Sequence, residues 1–156
     1  MLTSYTEKDT EPGLLVKKAW LDQARNINVL IDSKLAQVAS LRGLALKVSS
    51  TISQTPVSGT HDPKRLENTI IRLMDLEHEV NRDVDRLVEL KANIMSTINR
   101  VPDDRERALL ELRYLSFQSW RYIADALGIH IRQVYRLHEE ALEHVEIPAK
   151  WHSMSL

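Results

Sequence analysis

From Leu14 onward a mostly apolar set of positions recurs with alternating gaps of three and four: Ala24, Ile27, Ile31, Lys34, Val38, Leu41, Ala45 and Val48. That alternation is the heptad signature of a long helix with one face in a helical seam. Residues Ser49 to Asp62 are rich in Ser, Thr, Pro and Gly and break the pattern, which predicts a loop. Asp62-Pro63 restarts a helix, since Asp suits the cap and Pro the first turn. A second heptad run follows through Leu66, Ile70, Leu73, Glu77, Val80, Val84, Leu87, Lys91, Ile94, Ile98 and Val101, and Pro102 ends it. Residues 1–13 are polar, have no apolar period and end in Pro12-Gly13, which predicts a disordered tail.

Two long heptad helices joined by a loop predict an antiparallel hairpin over residues 14–101. Placing Ala45 opposite Leu66 aligns Leu41 with Ile70, Val38 with Leu73, Ile31 with Val80, Ile27 with Val84 and Ala24 with Leu87. In that register Lys34 faces Glu77, so neither charge is stranded, and Trp20 comes opposite Lys91. A slide of one heptad keeps the apolar match but separates these partners. Leu30, Leu35, Leu44, Ile71, Val88 and Met95 lie off the seam and are expected to face another chain or the rest of this one.

Beyond Pro102 the period changes. Asp103 to Leu115 reads as a third helix with acidic residues in its first turn, packed through Leu109, Leu110 and Leu112, with Tyr114 and Phe117 closing a small core. Ser119 to Leu137 then reads as a helix-turn-helix. Ser119 caps the first helix, Ile123 and Leu127 share its inner face, and Ala124 is small where the second helix crosses. Gly128 stands where the chain must take φ > 0, Ile129 plugs the turn, and Val134 and Leu137 form the inner face of the second helix. In this motif the second helix enters the DNA major groove and reads base edges near its N-terminus. Ile131, Arg132 and Gln133 occupy that first turn, and Arg136 lies one turn beyond Arg132. Arg matches guanine through O6 and N7, and Gln matches adenine through N6 and N7. Arg132, Gln133 and Arg136 are therefore the expected base contacts, with Arg121, His130 and Tyr135 expected at phosphates. The helix-turn-helix region spans 102–145, and residues 146–156, which contain Pro148 and lose the period, read as a loose tail.

Composition agrees with an all-α fold: 156 residues, 43% hydrophobic, with four Gly, five Pro and one Phe. There is no cysteine, so disulfides and thiolate metal sites are excluded. No apolar run reaches membrane-span length and no signal-peptide pattern is present, so a cytoplasmic protein is expected. The net charge of −1 leaves only Arg121, Arg132 and Arg136 as a basic front, so useful DNA affinity is expected to need two copies. His138 and His144 superficially resemble a zinc helix, but six residues apart they do not share a face. The six His are read as surface or flank residues, and no metal, cofactor or catalytic set is argued: a non-enzyme.

The segment from Val101-Pro-Asp-Asp-Arg-Glu-Arg through Trp120-Arg-Tyr-Ile-Ala-Asp-Ala-Leu-Gly, extending to Leu142, resembles region four of bacterial sigma factors. From about Trp20 the chain is similar to small regulators encoded by phages and prophages of Gram-positive bacteria, of the RinA and ArpU late-gene activator type. Ile31-Asp-Ser-Lys-Leu, Asp75-Leu-Glu-His-Glu-Val-Asn-Arg-Asp-Val-Asp and Arg132-Gln-Val-Tyr-Arg-Leu-His carry that likeness. His130 departs from it, standing where those proteins usually place Ser before the recognition helix. The resemblance implies control of transcription through double-stranded DNA, as a homodimer. Two other classes stay open: a phage packaging subunit of the small-terminase kind, and a region-four mimic that binds RNA polymerase.

Overall fold

A computed structural model describes residues 12–54 and 63–152. The described residues form helices joined by short connections, without strands: α1 (Pro12–Gln54), α2 (Pro63–Ile98), α3 (Asp104–Leu110), α4 (Trp120–Leu127), α5 (Ile131–His144) and α6 (Ala149–His152), with a π-helical segment (Glu111–Leu115) directly after α3. None of these helices is long and apolar enough to cross a membrane. The expected tail over 1–13 falls almost wholly outside the described residues, as do the Asp62 cap and residues 55–62 of the expected loop. α1 continues to Gln54, past the expected stop at Ser49. There the Ser50 hydroxyl donates to the Lys47 carbonyl at 2.9 Å, so the side chain folds back on the helix instead of opening it.

The chain divides into two compact units, one of residues 27–87 and the other of the segments on either side. The division falls inside α1 and α2 and not at Val101/Pro102, where the change of period placed it. The first unit is an antiparallel pair, but in a different register from the expected one. Lys34 does not meet Glu77: its ammonium lies 2.5 Å from Asp83 and 3.4 Å from Glu79, while Glu77 pairs with Arg42. α2 has slid by about one heptad and turned, so that Val80 is buried and Ile70 and Val84 are left 43% and 39% exposed. A slide alone would keep the apolar match; the turn gives up Ile70 and Val84, and two carboxylates at Lys34 replace one.

The second unit gathers the start of α1 and the end of α2 around α3–α6. Trp20, Leu21 and Ala24 of α1 and Ile94 and Ile98 of α2 are buried with Leu109, Leu110, Ile123 and Leu142. Polar ties reinforce this packing. The Lys17 ammonium donates to the carbonyls of Leu142 at 2.8 Å and Glu143 at 3.1 Å, a cation at the negative end of α5. Arg25 donates to the Arg113 carbonyl at 3.0 Å. Lys91 lies over the Phe117 ring at 4.7 Å, not on Trp20, which is itself buried. At α3, Asp103, expected within the helix, instead caps it: its Oδ1 accepts from the N–H groups of Arg105 and Glu106 at 2.9 and 3.0 Å. The segment expected to be a loose tail is anchored at its start: Val145 and Ile147 are buried, and α6 follows. α5 ends at His144, where Val145 turns to extended backbone, and Ile147 beyond it fills the core.

Candidate nucleic-acid interface

α4 and α5 are joined by three residues whose conformations follow from local chemistry. Ser119 has extended backbone, and its Oγ accepts from the Tyr122 N–H at 3.1 Å. Gly128 takes φ 64°, and the Ile129 N–H then reaches back to the Ala124 carbonyl at 3.0 Å. A Cβ added at Gly128 would meet nothing within 4 Å, so backbone conformation alone, not space, calls for glycine there. Ile123 and Ala124 are buried, and Leu127 is half-buried at the end of the same face.

α5 presents two unlike faces. Val134, His138, Ala141 and Leu142 are buried. Arg132, Gln133 and Arg136 are exposed, and Ile131 and Tyr135 are half-buried beside them. Arg121 on α4 and His130 at the start of α5 are exposed as well. Among the described residues, no acidic side chain pairs with Arg121, Arg132 or Arg136 to neutralise their charge. All seven residues singled out in the sequence are thus reachable. Two of them also have structural duties. Tyr135 lies against Trp120, ring centroids 5.5 Å apart, and the Gln133 side-chain oxygen accepts from the His130 N–H at 2.9 Å. The second contact is half of a capping box, with Gln in its usual third position.

The support behind α5 holds what sequence reasoning missed. His138, expected at the surface, is 4% exposed, and its Nε2 lies 2.7 Å from the Tyr114 hydroxyl. Trp120 meets the His138 ring edge-on at 4.7 Å, and Arg113 stacks on the far side of the cluster, 4.1 Å from the Trp120 centroid. Burial, with the nearby Asp22 carboxylate next, pushes the Tyr114 phenol well above its ordinary pKa, so it stays a neutral donor or acceptor. The signal was present: His138 stands four residues after Val134 and four before Leu142, which places it on the inner stripe. Leu137, expected on that stripe, is half-buried. The preceding π-helical segment and Phe117, with φ 56°, turn the chain from α3 into α4, and Arg113 donates to the Gln118 carbonyl at 2.9 Å across that turn.

Fold and site together define an all-α protein with two long antiparallel helices and a helix-turn-helix. The chain belongs to the DUF1492 family, described as a protein of unknown function, whose match covers residues 46–146. Comparison with curated proteins and with solved structures gave no match.

Proposed function

We propose that the protein is a sequence-specific, double-stranded DNA-binding regulator of transcription, acting in the cytoplasm as a homodimer to activate the late genes of a phage or prophage. The observation that carries this reading is the division of α5: one face is sealed into the core by Val134, His138, Ala141 and Leu142, while Arg132, Gln133 and Arg136 stand exposed on the other. A purely structural helix pair has no need of unpaired donors at that edge. The likeness to sigma region four and to phage late-gene activators supports the same class. Arg121 and His130 are placed for phosphates, with Tyr135 at the flank and Ile131 against a thymine methyl.

Arg132→Ala should cost about 1–3 kcal/mol on the cognate site and relax one base position. Arg121→Ala should weaken all sequences alike and flatten the salt dependence by about one unit of slope. The decisive measurement replaces Arg132, Gln133 and Arg136 together with Ala and follows binding after circular dichroism has confirmed the fold. Unchanged binding and promoter activity would sink the proposal. The net charge of −1 favours one rival, a region-four mimic that binds RNA polymerase without DNA. Footprints on the element's own genome, with and without polymerase, separate the two: protection without polymerase is expected here.

A further inference from the structure

Gln133 has its amide oxygen already occupied. The cap position of a helix carries a backbone N–H that the helix itself does not satisfy. At α4 the cap oxygen comes from Ser119. At α5 the cap residue is His130, and its N–H is met from three residues on, by Gln133 Oε1 at 2.9 Å. An N–H needs an acceptor, so chemistry sets the orientation of this amide: oxygen to the cap, leaving the Nε2 amine for a ligand.

Bidentate recognition of adenine needs both ends of the amide, Oε1 accepting from N6–H and Nε2 donating to N7. With one lone pair of the oxygen given to the cap, reading adenine that way means sharing the oxygen between the cap and N6–H or releasing the cap, the latter a penalty of about fivefold for a typical cap. Its exposed neighbours Arg132 and Arg136 have donors and no acceptor. Arg132, Arg136 and the free end of the Gln133 amide therefore offer a groove chiefly donors. Such an edge fits guanine, which shows N7 and O6, and after it thymine, which shows O4; it opposes the N4 amine of cytosine and the N6 amine of adenine.

We propose that Gln133 reads an acceptor base, guanine foremost, and not adenine, so that the half-site under α5 is guanine-rich on one strand. This rests on the DNA-binding reading and names the bases that reading left open. It also replaces the Gln–adenine pairing that side-chain type alone suggests.

The test selects sites from a random duplex library with the full-length protein, with Gln133→Ala and with Gln133→Glu. The position read by Gln133 is the one whose preference changes in Gln133→Ala. There the wild type should prefer guanine over adenine by about tenfold or more. Glu keeps an oxygen for the cap and gains a second acceptor in place of the amine. Gln133→Glu should therefore keep the His130 amide slow in hydrogen exchange and move the preference at that position from guanine to cytosine. Enriched adenine in the wild type overturns the proposal while leaving DNA binding intact. So does a His130 amide that exchanges freely in the wild type, or a site at which no position responds to Gln133→Ala. A wild-type selection that enriches no sequence overturns the DNA-binding reading and this one with it.

Discussion

His144 ties the far end of α5 to the first turn of α3. Its Nδ1 lies 2.7 Å from Oε2 of the buried Glu106. The hydrogen bond to Glu106, and next that carboxylate's charge, hold the imidazole pKa above its ordinary 6.5. A folded-state pKa that is raised means the folded chain binds the proton more tightly. The pair's stability is therefore fully present below about pH 6.5 and is lost as pH rises through the raised value. Thermal melts on either side of that window should show Tm falling as pH rises, and His144→Gln should remove that part of the slope. A wild-type Tm that does not respond, or a slope that survives in His144→Gln, would count against the pair. At this scale the legible residues were those whose role is local. Ser119 and Gly128 act on backbone within a few residues, so their types announce them. His138 and His144 act through partners far along the chain, Tyr114 and Glu106, and nothing in a one-dimensional pattern pairs them.

The long helices show the same division between local and distant information. Their existence and antiparallel pairing follow from a period repeated over many turns, and that repetition hides the register. Moving α2 by a heptad exchanges one set of apolar partners for an equivalent set, so only the polar members can choose. The register expected from the heptads offered Lys34 a single acid, Glu77. The structure gives it Asp83 and Glu79, and Asp83 with 17% side-chain exposure is the more enclosed. The hydrogen bond that Lys34 donates to Asp83, and the carboxylate charges beside it, raise the Lys34 pKa, as expected for an ammonium gaining partners. Asp83→Leu alone should lower the unfolding midpoint by removing the closer acid from Lys34. Lys34→Leu with Asp83→Leu should restore it or better, because a paired charge inside a seam is often replaceable by matched apolar groups. Glu77→Leu, which the other register would make the damaging change, should cost less than Asp83→Leu. Urea melts of the single and double variants settle which acid holds Lys34, and additive losses in the double would exclude the Asp83 pair.

For the whole molecule, the open quantity is the number of copies that act together. Among the described residues of 27–87 the buried apolar side chains are Ile27, Ile31, Val38 and Val80, while Leu35, Ile70, Met74 and Val84 are among those left 39–54% exposed. On α2, Ile70, Met74, Glu77, Asn81 and Val84 repeat with gaps of four and three, a second heptad stripe beside the one that faces α1. The turn of α2 that exposed Ile70 and Val84 created this stripe, which is why the sequence, read with those residues in the seam, did not reveal it. A heptad stripe is shaped for another helix, and a second copy supplies one with the same period. Glu77 and Asn81 within it would set the register, as isolated polar seam residues do. The proposed dimer is therefore expected to form through this stripe. Each large apolar side chain taken fully out of water contributes about 1.5–3 kcal/mol, and roughly half of that is available at these half-exposed positions. Met74→Glu with Val84→Glu should then raise the dimer dissociation constant at least tenfold, by about 1.4 kcal/mol or more. The same change should weaken DNA binding and reduce its salt slope toward that of a single helix-turn-helix, since half of the phosphate contacts would be lost from the complex. Sedimentation equilibrium, run alongside binding titrations at several salt concentrations, checks both outcomes. A wild-type monomer at micromolar concentration, or a double variant that stays dimeric with its salt slope intact, would move the interface elsewhere.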